Sequence, residues 1–234
     1  MKFMGSKNRI AKYILPIMLA ERKPGQWWVE PFVGGGNMID KITGKRLGAD
    51  ANKHTIEALR SIRDCVDDLP KNNTEFTEED YRRLRTTNDY PHKGYAGFAF
   101  SYGGKWLGGW CRDGEGVRDY VREAYDNAVR QSPKLGNVLL IYTDFQGLHV
   151  PSQSLLYCDP PYASTTGYKG SFASEVFWGW CLEKAAGGHT IFVSEYTAPS
   201  GFECVWEKEI VSSLTRDTGA KRGVERLFRL RSNK

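Results

Sequence analysis

Asp159-Pro160-Pro161-Tyr162 closes an apolar run, Leu155-Leu156-Tyr157-Cys158, and sets an acid, two prolines and an aromatic ring in consecutive positions. Proline fixes φ, lacks an N–H and drives the residue before it away from helix. The chain therefore leaves a strand in a stiff, extended turn. The Asp159 carboxylate and the Pro160 carbonyl supply two hydrogen-bond acceptors, and Tyr162 a flat stacking surface. One chemistry uses this set well. An amino group on an aromatic ring or an amide is a poor nucleophile because its lone pair is delocalised. Two acceptors that bind its hydrogens draw the nitrogen toward tetrahedral geometry and free the lone pair to attack an electrophilic carbon. Positioning and preorganised dipoles carry such a step without a metal or a covalent intermediate. The alternative is an ordinary strand-ending turn.

A second cluster follows another apolar run. Trp27-Trp28-Val29 reads as a strand and ends in Glu30-Pro31-Phe32-Val33-Gly34-Gly35-Gly36-Asn37. Glycines straight after a strand let the backbone approach a ligand, and a helix start supplies free N–H groups. Asp50 closes the next strand, a position that hydrogen-bonds a ribose diol in doubly wound sheets. The pattern is neither G-x-G-x-x-G nor a P-loop, which leaves a nucleoside ligand without a long phosphate chain. A glycine turn that merely packs strand on helix remains the alternative.

The third cluster lies in residues 92–112, where aromatics and glycines alternate with isolated cations: Lys93, Lys105, Trp106 and Arg112 among them. Loops of this composition can lie along a nucleic-acid backbone and wedge into the stack. A hairpin with its rings packed inward is the competing reading. Arg216, Lys221 and Arg222 form a basic loop that is either solvated or placed against phosphates.

The elements that must hold these clusters alternate strand and helix, which predicts an α/β fold with a mostly parallel sheet. Helical spacing covers 8–20, with Pro16 predicting a break or kink nearby and Gly5-Ser6 a turn and N-cap. A helix is expected near Asn37 to Ile42, a strand over Arg46 to Ala49, and a helix from Lys53 to about Asp68 capped by Asn52. Thr77 to Asp80 opens a capped helix. Val117 to Arg130 shows one apolar face, and Val138 to Tyr142 reads as a buried strand. Ser174 caps a helix to about Ala186, and Thr190 to Ser194 is a strand. Phe202 to Val211 and Val224 to Leu230 pair as an antiparallel hairpin. The catalytic domain then comprises 1–70 and 117–234, with 71–116 an insertion.

Composition narrows the class. The 234 residues carry a net charge of +5, 40% hydrophobic and 13% aromatic residues. A mild basic excess permits an anionic partner without demanding one. No apolar run is long enough to cross a membrane, and no secretion signal follows the basic N-terminus. Five scattered cysteines without a C-x-x-C, and four unpaired histidines, support neither a disulfide framework nor a zinc site. A cytoplasmic protein, monomeric or weakly dimeric, is the expectation.

Taken together these motifs resemble the Dam-type DNA adenine-N6 methyltransferases, and their short phage-encoded members most. Lys2-Phe3-Met4-Gly5-Ser6-Lys7 is similar to the family's N-terminal cofactor motif, Glu30 to Gly36 to its glycine motif, and Asp159 to Tyr162 to its catalytic tetrapeptide. Gly103-Gly104-Lys105-Trp106 falls where the family keeps target recognition, and Lys221 to Leu230 resembles its closing segment. The resemblance implies a Rossmann-like methyltransferase fold with a small inserted recognition subdomain, S-adenosylmethionine as cofactor, and an adenine flipped out of duplex DNA as substrate. It implies cofactor contacts from Phe3, Lys7, Glu30, Phe32, Gly34, Gly36, Asp50 and Asp159, with Asp144 and Phe145 flanking the adenine of the cofactor. It implies catalysis by Asp159, Pro160, Pro161 and Tyr162, and DNA contacts from Lys93, Lys105, Trp106, Arg112, Arg216, Lys221 and Arg222. The insertion is short for the family, so the family's GATC target does not follow. Methylation of an RNA base or a glutamine amide, which can use a related tetrapeptide, is the alternative.

Overall fold

In the computed structural model, which describes residues 1–161, 174–211 and 222–231, the strands in chain order are β1 (Trp28–Glu30), β2 (Arg46–Asp50), β3 (Val138–Tyr142), β4 (Leu155–Cys158), β5 (Thr190–Ser194), β6 (Phe202–Val211) and β7 (Arg222–Leu230). The helices are α1 (Ala11–Glu21), α2 (Lys53–Asp64), α3 (Glu78–Arg83), α4 (Lys93–Ala99), α5 (Tyr120–Leu135) and α6 (Ser174–Ala186). The strands make one seven-stranded sheet in the order β3-β2-β1-β4-β5-β7-β6. The first five are parallel, β7 runs antiparallel to β5, and β6 pairs antiparallel with β7. This is the expected Rossmann-like sheet with its C-terminal hairpin. Strand order reverses between β1 and β4, and in open α/β sheets that is where a ligand crevice forms.

One face of the sheet packs on a large core that runs from Ile14 and Met18 of α1 through Trp28, Ile56, Leu59 and Tyr157 to Leu227. The other face packs on Phe177, Trp180 and Cys181 of α6, with Phe145 and Leu148. Tyr95, Phe98, Phe100, Phe76 and Tyr81, all between residues 71 and 116, belong to the first core.

Several expectations about elements are corrected. No break occurs at Pro16, which sits exposed inside α1. The carbonyl its missing N–H would have bound belongs to Lys12, which is also exposed, so the lost bond lies on the solvent side of the helix. The helix expected near Asn37 is a single 3-10 turn, Ile39–Lys41. Asn37 spends its side-chain amide on the Met1 carbonyl at 2.9 Å instead of capping a helix. α2 stops at Asp64, although Asn52 caps it as expected by accepting from the His54 N–H at 3.0 Å. α5 begins at Tyr120, because Asp119 caps it by accepting from the Arg122 N–H at 2.8 Å and Val117 stays in solvent.

β3 is an edge strand rather than a buried one: Leu139, Ile141 and Tyr142 are exposed. Its outward carbonyls are covered by guanidinium groups from α2, Arg63 to Val138 and Arg60 to Leu140, each at 2.7 Å. Filling those acceptors blunts the edge against pairing with another strand.

Residues 92–112, expected to be irregular, contain α4, every residue of which except Lys93 is buried. Its glycines serve close packing on α2. A Cβ on Gly94 would sit 2.6 Å from the His54 carbonyl oxygen and 2.9 Å from the Ala58 nitrogen, and one on Gly97 would meet the Trp106 ring at 2.3 Å. Backbone cannot yield as a flexible side chain does. Gly94→Ala is therefore expected to destabilise the protein by about 1–3 kcal/mol in urea melts, as overpacking of a core does, and a loss below about 0.5 kcal/mol would contradict that packing.

Candidate active site

The carboxyl ends of β1, β2 and β4 bring four of the predicted motifs together. Gly34 and Gly36 take positive φ, +48° and +69°, which bends the loop after β1 back over the sheet. The Phe3 ring lies flat enough on this loop that a Cβ on Gly34 would be 3.0 Å from its Cε1. Asp50, at the end of β2, accepts from the Gly34 N–H at 3.1 Å through Oδ2 and from the Asn52 N–H at 2.9 Å through Oδ1. Burial pushes its pKa up to about 6, against the pull of those two N–H donors. Each oxygen retains a lone pair, so a diol donating two hydroxyls would complete the set.

Asp159 follows β4 directly. Its Oδ1 lies 3.1 Å from Lys7 Nζ, and Lys7 also reaches Glu225 of β7 at 3.6 Å. Lys7 is only 6% exposed. Burial works against its charge, but the two carboxylates outweigh that and hold its pKa above the usual value. Burial drives Asp159 the other way, up to about 6, with Lys7 pulling it down and Glu225 adding repulsion. Asp159 is thus ionised at neutral pH but close to its titration. Ser6 positions Lys7 by accepting from the Asn8 N–H and capping the 3-10 turn Lys7–Arg9.

The remaining candidates fall into three groups. Glu30 is buried beneath the loop, accepts from Trp28 Nε1 at 2.7 Å, and burial raises its pKa well above the carboxylate range. Phe32 and Phe145 pack together with ring centroids 5.6 Å apart, both against Phe177, and Asp144 is exposed beside them, accepting from the Gly147 N–H. Pro160 is buried and Pro161 half-buried, while Tyr162 lies outside the described residues.

Of the cations assigned to nucleic acid, Lys93 donates to the Thr87 carbonyl and to Asn88, and Arg112 pairs with Glu78 at 3.1 Å. Lys105 is exposed, and its ammonium meets no hydrogen-bond or ion-pair partner among the described residues. Trp106 is half-buried and stacks on His54, centroids 4.1 Å apart at 11°. Gly104, next to it, holds φ +68° and packs on the Phe3 backbone, while its carbonyl accepts from the Met4 N–H at 3.1 Å. Arg216 and Lys221 lie outside the described residues, and of Arg222 only the backbone, at the start of β7, is described.

Sequence reading missed Glu225 and Glu195. Glu225 sits inside the segment read as a closing motif, and an acid on the inward face of a strand beside β5 was the available signal. Glu195 follows β5, accepts from the Tyr196 N–H at 2.8 Å, and burial raises its pKa to about 7. Among the described residues no group of His, Cys, Asp or Glu could hold a metal, and no helix is long and apolar enough to cross a membrane.

A glycine loop under an aromatic ring, a ribose-type acid and a lysine-paired Asp-Pro-Pro turn share one end of the sheet. Residues 3–96 match the D12 class N6 adenine-specific DNA methyltransferases. That match spans the N-terminal motif, the glycine loop and Asp50, and it bears out the resemblance drawn from the sequence. It supports methyltransferase activity with S-adenosylmethionine as the cofactor. A search of curated proteins returned no match. Among solved structures, the chain is similar to the candidate RNA methyltransferase PH1948 from Pyrococcus horikoshii, at 10% identity and a TM-score of 0.49, covering 97% of this chain and 84% of that one. It is also similar to the tRNA (m1A58) methyltransferase TrmI from Aquifex aeolicus, at 10% identity and a TM-score of 0.44, covering 100% of this chain and 72% of that one. Both are distant, and the fold is read from this chain's own strand order.

The half-buried Asp50 carboxylate, with a lone pair to spare on each oxygen, has the chemistry to accept from a ribose diol.

Proposed function

We propose that the protein transfers a methyl group to the N6 amino group of an adenine flipped out of duplex DNA. The observation that carries this reading is the Asp159 carboxylate, fixed by buried Lys7 at the end of β4 and next to the loop that Asp50 braces. Asp50 would hold the cofactor ribose, Phe3 and the Gly34 backbone its body, and Phe32 with Phe145 its adenine ring. The cofactor, when bound, supplies an electrophilic methyl group. Asp159 and the Pro160 carbonyl accept the two amino hydrogens, and Tyr162 stacks on the base. Lys7 keeps Asp159 ionised and aimed, and the proton released on methylation leaves through this acceptor pair. The inserted 71–116 segment and the 216–222 loop are the regions assigned to target recognition. The D12 class match supports DNA over the alternatives of an RNA base or a glutamine amide, and the mild basic balance is compatible with a nucleic acid of either kind.

Two results test this. Removing the Asp50 carboxylate deletes charge-assisted hydrogen bonds worth ~1.5–3 kcal/mol, so Asp50→Ala is expected to weaken S-adenosylmethionine binding by about 10- to 100-fold in calorimetry. Unchanged affinity would remove Asp50 from the site. The rate is also expected to fall with acid. Asp159 accepts hydrogens only as a carboxylate, and its pKa is raised to about 6. Single-turnover methylation at saturating cofactor should therefore drop tenfold per pH unit below about 6. A rate flat down to the ordinary aspartate range, near 4, would contradict the role given to Asp159.

A further inference from the structure

We propose that Lys12, Tyr13 and Lys208 form a site for one backbone phosphodiester of the nucleic acid, beside the catalytic ion pair; this rests on the reading of DNA as substrate. Tyr13 lies on the exposed side of α1 and stacks on Trp206 of β6, centroids 6.1 Å apart at 19°. Two ammonium groups converge on its ring, Lys208 at 4.1 Å and Lys12 at 5.0 Å from the centroid. They also face its hydroxyl, and hydrogen bonding to Lys208 and then to Lys12 lowers the phenol's pKa. Neither lysine has a carboxylate within ion-pair distance among the described residues. Each ammonium is attracted to the ring but repelled by the other, and an anion placed between them turns that repulsion into attraction.

Its place in the fold selects the anion. Lys208 stands opposite Glu225 in the β6–β7 register, and Glu225 is engaged by Lys7, the partner of Asp159. The paired site is therefore one cross-strand step from the catalytic ion pair, on the same face of the sheet. Along β6, Glu207 and Glu209 alternate to the opposite face, and Glu207 is paired with Arg226. A flipped base at Asp159 requires the flanking backbone to be held on both sides, and a phosphodiester offers the single charge and two free oxygens that a pair of ammonium groups and a phenol can share.

The test is the salt dependence of binding to a short DNA duplex, read by fluorescence anisotropy on the full chain. One neutralised phosphate contributes a slope of about 0.9 in log Kd against log salt. The double variant Lys12→Ala/Lys208→Ala is expected to lose about one unit of slope, with Lys208→Arg retaining it. Tyr13→Phe is expected to weaken binding several-fold with the slope kept. An unchanged slope overturns the site, and so does a wild-type chain that binds no duplex. A loss of two units overturns the shared geometry, because each lysine then holds its own phosphate. Methyl transfer is assayed separately on the same duplex. A normal slope loss with no N6-methyladenine leaves the phosphate site standing and removes the proposed reaction. All three substituted side chains are exposed, and matched thermal melts check that the variants fold.

Discussion

Asp159→Ala is expected to lower the methyl-transfer rate by about 100-fold or more, as removal of one preorganised polar group at a reacting centre does, while S-adenosylmethionine binding changes far less. The carboxylate is the one charged acceptor in the turn after β4, and the Pro160 carbonyl alone cannot bind both hydrogens of an amino group. Stability should not explain the loss. An acid whose folded pKa is raised from 3.8 to about 6 binds more protons folded than unfolded between those values, so stability falls as pH rises through that window. Its ionisation costs the fold free energy at neutral pH, whereas its loss leaves buried Lys7 with Glu225 alone of its two carboxylates, so Asp159→Ala changes stability by the net of two opposed effects. Single-turnover rates beside urea melts check the point. A variant that is both active and destabilised would assign Asp159 to structure rather than catalysis.

The second large effect is expected at Lys7. Lys7→Met leaves the half-buried carboxylates of Asp159 and Glu225 facing each other without the cation between them. Removing one partner from a buried charge cluster costs about 3 kcal/mol or more. The sign with pH is definite. Lys7 has a raised pKa, so its stabilisation is complete below 10.5 and is lost only as pH rises through its folded value. In the variant the two carboxylates repel when ionised and relax when one is protonated. The destabilisation is therefore expected to be larger near pH 8 than near pH 5 in paired melts, and the acid limb of the rate should move to higher pH. A pH-independent loss would mean that Lys7 acts through packing alone.

Much of this site is legible in the sequence because its residues sit at strand ends. Asp50 ends the short strand β2 and Asp159 follows the apolar strand β4, and the order of the strands in a parallel sheet brings those ends together. The lysine at position 7 is legible only through its resemblance to a known motif, since nothing local says that it crosses to Asp159. Glu225 was hidden for the opposite reason: its partner is more than two hundred residues away in sequence, and strand alternation names its face but not what lies there. β3 misleads because Val138 to Tyr142 is as apolar as an interior strand, and only the sheet order reveals that it is an edge covered by Arg60 and Arg63. α4 misleads because glycine at Gly94 and Gly97 reads as loop, whereas both positions are demanded by the backbone of α2 and the ring of Trp106.

The central claim is that the acceptor turn at Asp159 methylates adenine in duplex DNA. The direct measurement is to incubate the protein with labelled S-adenosylmethionine and duplex DNA, then digest the product to nucleosides and resolve them by mass spectrometry. The account predicts label in N6-methyladenine, absent with Asp159→Ala. DNA that takes up no label, or label confined to another base, would contradict it.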